Sequence, residues 1–219
     1  MIKENITAIH GELPPGVKLV AVSKFHPVEA IREAYGAGQR VFGENRPQEF
    51  AKKVEDLSDL DLEWHFLGHL QTNKLKLVLP YAHLVQSVDS QHLLDAIQAW
   101  GKANDKVVSV LLELHIGAEQ TKQGFHEEEI LDILFRAEKY THVRFCGLMG
   151  MATNTDCEDD IRADFARIAD FRAYLQDLFP ELADFRELSI GMSADWRLAL
   201  DYGASIVRIG TAIFGERQY

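Results

Sequence analysis

The chain has 219 residues, of which 47% are hydrophobic and 26% are charged, a composition typical of a globular protein. Disordered, collagen-like and fibrous proteins are therefore excluded. The formal net charge of −11 makes nucleic acid an unfavourable partner, because the overall field would repel a polyanion. With only Cys146 and Cys157, the chain is not expected to form a disulfide scaffold or a cysteine-based zinc site.

The amino-terminal residues are polar and contain no apolar signal segment. No stretch of the chain approaches the roughly 18 consecutive apolar residues of a membrane-spanning helix. The sequence therefore predicts a cytoplasmic protein with no membrane partner.

After a short amphipathic opening, brief apolar runs alternate with longer segments of helical period. This alternation is typical of βα units around a parallel sheet. Most of the runs are apolar on both faces, as buried parallel strands are. The predicted strands are residues 17–22, 40–42, 63–67, 84–87, 107–114, 143–148, 185–190 and 205–209.

Seven segments of helical period lie between these strands, and a short turn follows the last strand. Several carry residues typical of helix ends: Pro27 in a first turn, Ser90 as an N-cap, and Gly36, Gly101 and Gly203 near the carboxyl ends. The predicted helices are residues 26–36, 46–57, 73–79, 90–101, 127–140, 158–178 and 194–202.

The count of eight strands and seven helices plus a terminal turn predicts an α/β fold, a closed (β/α)₈ TIM barrel. An open doubly wound sheet is the alternative. No linker rich in Gly, Ser or Pro divides the chain, so we expect residues 1–219 to form a single domain.

The reactive groups of such a barrel gather at the carboxyl ends of its strands, and the first strand ends beside a lysine. Lys24 follows an apolar run, so we expect it to project into the barrel mouth, where partial burial would lower the pKa of its amine. A neutral amine is a nucleophile that can form a Schiff base with a carbonyl, including the aldehyde of pyridoxal phosphate. The alternative is a solvated lysine at a strand end.

Loops of small residues follow the last two predicted strands, where this fold usually binds phosphate. Gly191 and Gly210 allow the backbone to approach a ligand closely. Ser193, Thr211 and exposed N–H groups at a helix start can donate hydrogen bonds to an oxyanion. The alternative is that the glycines only turn the chain.

Arg208 lies inside an apolar strand, where an unpaired guanidinium would be costly. It therefore needs an acceptor, either in a structural ion pair or in a ligand. If it faced a pyridine nitrogen, its charge would disfavour protonation of that nitrogen and weaken the ring as an electron sink.

Five sets of residues form a specific pattern along the chain. They are residues 21–24 (AVSK), 42–45 (FGEN) with Gln48 and Glu49, 64–71 (WHFLGHLQ) with Asn73 and Lys74, 191–193 (GMS) with Asp195, and 207–215 (VRIGTAIFG). Together these sets closely resemble the pyridoxal phosphate homeostasis protein family. The resemblance extends over nearly the whole chain, and its motifs are jointly specific.

The resemblance implies a barrel like the N-terminal domain of alanine racemase, in which Lys24 holds pyridoxal phosphate as an internal aldimine. Carried over position by position, it implies that Asn45 lies beside the pyridine ring, that Arg208 faces its nitrogen and that Met149 flanks the ring. The residues that it assigns to the phosphate are Ser193, Gly210 and Thr211. The family has no firmly established catalytic activity and is linked to cofactor supply and amino-acid balance.

Two segments depart from the family pattern. Arg46–Pro47 replaces an aromatic and an aliphatic residue, and residues 150–154 (GMATN) replace a loop that usually contains threonine and proline. These changes concern the shape of the mouth more than the lysine or the phosphate loops. His65 and His69 have i, i+4 spacing but lie where a strand enters a loop, so we predict no metal site. His65 is expected to be structural and His69 to line the mouth.

Three functions are consistent with the sequence. The first is a carrier of pyridoxal phosphate, a monomer without strong catalytic activity that passes the cofactor to apoenzymes or binds free amino acids. The second is an amino-acid racemase or lyase, which needs a further acid/base, and Tyr219 is too weakly placed by sequence for that role. The third is a cofactor-free phosphosugar isomerase or aldolase, in which Lys24 attacks the substrate carbonyl.

Overall fold

The computed structural model describes residues 1–118 and 123–216 and contains a closed barrel of eight parallel strands. Each strand is hydrogen-bonded to the next in chain order, and β8 closes the barrel by pairing with β1. This topology confirms the predicted (β/α)₈ barrel and excludes the open sheet. The strands are β1 (Lys18–Val22), β2 (Val41–Glu44), β3 (Glu63–Phe66), β4 (Leu84–Val88), β5 (Val108–Glu113), β6 (Val143–Met149), β7 (Glu187–Ser189) and β8 (Ile206–Ile209).

Helices follow the strands in the predicted order. The predicted N-cap of α5 is confirmed, since the hydroxyl of Ser90 accepts a hydrogen bond from the N–H of Leu93 at 3.4 Å. The helices are α1 (Ile2–Glu12), α2 (Val28–Gly36), α3 (Pro47–Asp56), α4 (Leu75–Val78), α5 (Gln91–Asn104), α6 (Glu127–Leu134), α7 (Glu158–Leu178), α8 (Trp196–Leu200) and α9 (Thr211–Phe214), with 3-10 helices at Thr72–Lys74 and Ala137–Lys139. Across the described ranges, no helix combines the length and apolar content that crossing a membrane requires.

The helix α5 is longer than predicted and ends differently. The sequence places its end near Gly101, but the helix continues to Asn104 and is capped by Asp105 in a left-handed conformation, with φ 49°. The short polar side chain of aspartate tolerates this conformation better than most. Gly101 is required for packing instead, since a Cβ there would lie 2.6 Å from the carbonyl oxygen of Lys106.

Two other helices are shorter than predicted. The segment 127–140 divides into α6 and a 3-10 helix, because Arg136 leaves the helical conformation with φ −118° and ψ 21°. The segment 194–202 contains only the five residues of α8. Neither change affects the topology of the barrel.

The apolar core has two parts. The larger part lies between strands and helices and includes the predicted inner face of α7, formed by Phe165, Ile168, Phe171 and Leu175. The smaller part lies inside the barrel. Because side chains alternate between the two faces of a strand, its members identify the inward-pointing positions. They are Val20, Leu84, Leu111, Met149 and Ile206.

A bulge in β6 depends on one glycine. The pairing of β5 with β6 shifts register between Val110 and Leu111, which leaves Cys146 as an extra, partly buried residue in β6. Gly147 follows with φ 147°, and a Cβ at this position would collide with the carbonyl oxygen of Glu187 on β7. The bulge therefore accepts only glycine at this position.

We predict that Gly147→Ala lowers the free energy of unfolding by about 2–4 kcal/mol, because the methyl group adds a collision to a strained backbone. Urea denaturation measures the change. The control is Gly11→Ala in α1, where a Cβ meets no atom within 4 Å. That substitution should stabilise the protein by about 0.5–1 kcal/mol. A Gly147→Ala variant as stable as the natural chain would contradict the prediction.

Candidate functional site at the carboxyl-terminal mouth

The carboxyl ends of the strands form one mouth of the barrel, and most residues singled out by the sequence lie around it. Lys24 is half-buried in the turn after β1, and Asn45 directly follows β2. Gly210 and Thr211 follow β8, and Ser193 lies in the loop after β7. Because β1 pairs with both β2 and β8, the topology brings these five residues to adjoining positions.

The two remaining residues lie slightly deeper. Met149 is the last residue of β6 and is buried in the cluster inside the barrel. Since β7 and β8 separate β6 from β1, Met149 lies on a different side of the mouth from Lys24. Arg208 is buried within β8.

Hydrogen bonds hold the turn that carries Lys24. The N–H of His26 donates to the carbonyl oxygen of Ser23 at 3.0 Å, and the N–H of Phe25 donates to the carboxylate of Glu49 at 2.8 Å. Phe25 has φ 66°, which is uncommon for a bulky residue. Such a conformation persists only where the surrounding structure enforces it. The turn is therefore fixed immediately beside Lys24.

A buried ion cluster supports this turn from below. The amine of Lys53 donates to the carbonyl oxygen of Ser23 and to the carboxylates of Glu44 and Glu49, each at 2.7 Å. The hydroxyl of Ser23 also donates to Glu44 at 2.6 Å. Burial raises the pKa of Glu44, although Lys53 and Ser23 favour its charged form. Sequence reasoning missed this cluster; the i, i+4 spacing of Glu49 and Lys53 was the available signal.

The loops after β7 and β8 converge on one hydroxyl. Ser193 Oγ accepts the N–H of Gly210 at 3.1 Å and that of Ala212 at 3.5 Å. Gly191 has φ 88°, and a Cβ there would approach Trp196 Cα to 2.9 Å, so this position requires glycine. Because both N–H groups already donate to the Ser193 oxygen, the hydroxyl proton of Ser193 is the donor that this cradle of Ser193 and Gly210 can offer to an anion.

Two ring contacts join the Lys24 turn to its neighbours. His26 stacks on Phe214 of α9, with centroids 5.0 Å apart. The guanidinium of Arg46 lies over the Phe25 ring at 4.4 Å, and Pro47 begins α3. Both residues that depart from the family pattern therefore have a structural role in this chain. Arg46 covers the ring of the strained Phe25, and Pro47 begins α3.

Asn45 carries a buried polar atom without a partner. Its Oδ1 makes no hydrogen bond to any described residue. Gly68 allows the loop after β3 to pack against Asn45, since a Cβ on Gly68 would collide with the Asn45 backbone. Buried oxygens in native proteins usually bind a donor, so this atom fits a site for a polar ligand.

The structure contains acceptors for the Arg208 guanidinium, as predicted for an arginine inside an apolar strand. Its guanidinium donates to Ser189 Oγ at 2.6 Å and to the carbonyl oxygen of Gly150 at 2.9 Å. Burial lowers the pKa of Arg208 to about 10, while the charges of Glu113 and Asp195 act in the opposite direction. Arg208 therefore stays charged at neutral pH. The loop that departs from the family pattern contributes one of its acceptors.

Sequence reasoning missed a buried carboxyl group whose charge acts on this guanidinium. Glu113 is buried at the end of β5, and burial raises its pKa to about 7, with Asp89 adding to the rise and Arg208 opposing it. Asp89 pairs with His69 Nδ1 at 2.9 Å, in the loop after β3. The available signal was a charged residue inside an apolar predicted strand.

Within residues 1–118 and 123–216, no group of three or more His, Cys, Asp or Glu is arranged to hold a metal ion. His65 is completely buried and hydrogen-bonded to Glu63 and Gln86, in agreement with the predicted structural role. Tyr219 lies outside the described residues.

The chain matches a described family of proteins. The family model of the alanine racemase N-terminal domain matches residues 1–218. The pyridoxal phosphate homeostasis protein of Aquifex aeolicus is 43% identical over 202 residues, which cover 92% of this chain and 88% of that protein. The chain therefore belongs to the pyridoxal phosphate homeostasis protein family, as its motifs predict.

Solved structures agree with this assignment. PipY of Synechococcus elongatus, solved without PLP and with PLP bound, has TM-scores of 0.93 and 0.91 and identities of 39% and 38%; each comparison covers 98% of this chain and 100% of PipY. Alanine racemase of Corynebacterium glutamicum has a TM-score of 0.76 at 16% identity, over 100% of this chain and 61% of that one. At that identity the likeness concerns the fold alone.

We predict that Glu113 makes stability fall as pH rises. Its folded pKa of about 7 exceeds its ordinary value of 4.5, so the folded state retains a proton that the unfolded state loses. This stabilisation is complete below about pH 4.5 and is lost as pH rises through 7. Relative to Glu113→Gln, the natural chain should lose about 2–3 kcal/mol of unfolding free energy between pH 5 and 8.

Urea denaturation at several pH values measures this difference. The control is Glu55→Gln, which replaces an exposed glutamate on α3 and should run parallel to the natural chain. Parallel curves for Glu113→Gln as well would refute the prediction.

Proposed function

We propose that this protein binds pyridoxal phosphate (PLP) at the carboxyl-terminal mouth and serves in intracellular PLP homeostasis, as a single-domain carrier without strong catalytic activity of its own. The observation that carries the proposal is the convergence of Lys24, Asn45 and the cradle of Ser193 and Gly210 on adjoining loops. Membership of the family and the PLP bound to PipY support the same ligand.

Lys24 is the proposed covalent anchor. Its amine condenses with the aldehyde of PLP, and water leaves as the Schiff base forms. The fixed turn between Ser23 and His26 supports this role, because an amine held in place loses little freedom when it binds. The buried Lys53 is a poor competitor, since its three hydrogen bonds engage all of its donors.

Ser193, Gly210 and Thr211 are the proposed phosphate ligands. Ser193 Oγ accepts backbone N–H groups, which leaves its own proton for a phosphate oxygen. Thr211 is exposed beside it, so its hydroxyl can reach the same anion. Hydroxyl donors bind a charged acceptor more strongly than a neutral one, which favours PLP over pyridoxal.

Asn45, Met149 and Arg208 are the proposed neighbours of the ring. When bound, the cofactor supplies an aldehyde and an electron-withdrawing ring. Asn45 offers a buried amide with an unsatisfied oxygen, and Met149 offers an apolar surface. A charged Arg208 opposite the ring nitrogen keeps that nitrogen unprotonated. A ring in that state is a weak electron sink, which favours holding the cofactor over catalysis.

The proposed setting is the cytoplasm, where the free thiols of Cys146 and Cys157 would stay reduced. The proposed form is a monomer. The proposed recipients of the cofactor are PLP-dependent apoenzymes, and free amino acids are further reactants for the bound aldehyde.

We predict that the natural chain turns yellow with PLP and that borohydride fixes the added mass on Lys24. Lys24→Ala should lose both signals, whereas Lys52→Ala, which removes an exposed lysine on α3, should keep them. Absorbance titration and peptide mass spectrometry are the measurements. A natural chain that stays colourless and gains no mass would favour the cofactor-free enzyme. Racemisation of alanine or serine well above that of Lys24→Ala would favour the racemase.

We predict that Ser193→Ala weakens PLP binding about tenfold and leaves pyridoxal binding unchanged, because a hydrogen bond to a charged group contributes about 1.5–3 kcal/mol. Absorbance titrations with the two aldehydes give the affinities. Ser58→Ala, an exposed serine after α3, is the matched control. An equal loss for PLP and pyridoxal would show that Ser193 does not contact the phosphate.

A further inference from the structure

A continuous line of hydrogen-bonded side chains runs from Arg208 into the barrel. Arg208 Nη1 donates to Ser189 Oγ at 2.6 Å, and Ser189 Oγ donates to Gln86 Oε1 at 2.6 Å. Gln86 Nε2 lies 2.7 Å from His65 Nδ1, and His65 Nε2 lies 2.8 Å from Glu63 Oε1. We name these five residues the polar relay.

The polar relay spans the barrel. Arg208 lies near the carboxyl end of β8, whereas Glu63 is the first residue of β3 and therefore lies at the opposite mouth. There Glu63 also accepts a hydrogen bond from Lys18, the first residue of β1, at 2.6 Å. The three middle members of the relay, Ser189, Gln86 and His65, are completely buried. The hydrogen bond from Ser189 on β7 to Gln86 on β4 crosses the interior of the barrel, because these two strands are not neighbours.

Chemistry fixes the direction of every bond in the relay. Arginine only donates, so the single proton of Ser189 must go to Gln86, whose facing atom must be its oxygen. The amide nitrogen of Gln86 then faces His65 Nδ1, which must be unprotonated. A neutral His65 therefore carries its proton on Nε2 and donates it to Glu63, which as a carboxylate only accepts. The requirements at the two ends agree, so one arrangement satisfies all five residues.

We propose that Ser189, Gln86 and His65 are positioning residues for Arg208, which hold its guanidinium in place at the mouth through this one-way relay. If the amide of Gln86 turned over, Ser189 would receive two donors and its own proton would lose its acceptor. Arg208 would then share the Ser189 oxygen with a second donor, and the carbonyl oxygen of Gly150 would be its one undivided acceptor among the described residues. The orientation of Gln86 in turn depends on the proton of His65.

The charge states around His65 agree with this assignment. Burial lowers the pKa of His65, against the effect of Glu63. The hydrogen bond from His65, together with Lys18, lowers the pKa of Glu63 to about 2. Lys18 and His83 face the same ring and also disfavour a positive charge on His65. At neutral pH His65 is thus neutral and Glu63 ionised, as the relay requires.

The first test uses the full chain without any variant. Nitrogen NMR of the His65 ring should show one protonated and one unprotonated nitrogen at pH 7, with the proton on Nε2. A ring that carries its proton on Nδ1, or that is doubly protonated at pH 7, would overturn the relay. This measurement does not depend on PLP.

The second test measures how fast the guanidinium protons of Arg208 exchange with solvent, by NMR of the full chain. Gln86→Leu breaks the relay at its centre and should speed exchange about tenfold. The matched control is Gln39→Leu, which removes another buried glutamine whose amide donates to Leu19 and Val41 carbonyl oxygens. The control should change exchange less than twofold. Equal rates in the two variants would overturn the proposal.

A conservative variant separates positioning from general damage. Gln86→Glu keeps an acceptor for Ser189 and should restore slow exchange at Arg208, while drawing a second proton onto His65. A merely structural Gln86 would not slow exchange at Arg208 in Gln86→Glu relative to Gln86→Leu. Should Gln86→Leu fail to fold, the His65 tautomer and the Gln86→Glu variant still decide the question.

The consequence for ligand binding rests on the proposed function. Gln86→Leu should weaken PLP binding about fivefold while the Lys24 adduct still forms, because a mobile Arg208 binds less well. If the natural chain binds no PLP, the proposed function fails, but the NMR results still decide the relay. If PLP binds and Gln86→Leu leaves both affinity and exchange unchanged, the relay fails alone.

Discussion

Closure of the barrel is the constraint on which the rest of the structure depends. The pairing of β1 with β8 joins Ala21 to Ile209, residues from opposite ends of the sequence. This pairing places the Lys24 turn beside the cradle formed by Ser193 and Gly210. An open sheet built from the same strands would leave the two loops on distant edges. The candidate site therefore exists only because the last strand hydrogen-bonds to the first.

Polar groups buried inside this closed barrel need hydrogen-bond or ion-pair partners. The bonds that they form make the site rigid. Lys53 and Glu44 are buried together beneath the Lys24 turn, and the removal of Lys53 would leave the buried carboxyl group of Glu44 without its counter-ion. Arg208 faces the same requirement and meets it through Ser189 and Gly150. Satisfied buried networks of this kind favour one arrangement of the surrounding chain. The hydrogen bonds and ion pairs that offset the cost of burying these polar groups therefore also hold the residues around the mouth in place.

The barrel by itself does not determine what happens at its mouth. The likeness to alanine racemase at 16% identity concerns the fold, and functions differ among proteins that share a barrel. The distinction between holding and transforming a cofactor comes from individual groups. In the proposed function, a charged Arg208, the cradle of Ser193 and Gly210 and the Lys24 amine favour retention of a phosphorylated aldehyde. Glu113, whose protonation changes near neutral pH, adds a titratable group that interacts electrostatically with Arg208.

The sequence by itself determined the barrel, the family and the positions after each strand, because strand and helix periods and short motifs are local properties of the chain. It also marked Lys24, Ser193 and Arg208, whose residue types are unusual for their positions. Only the tertiary structure revealed the ion cluster at Lys53, the raised pKa of Glu113 and the polar relay. These features depend on burial and on contacts between strands far apart in sequence, such as β4 with β7, and no local pattern encodes them. The end of α5 was likewise not predictable from local sequence. Gly101 is a glycine because the chain packs closely against it, and it lies inside the helix, which is capped by Asp105.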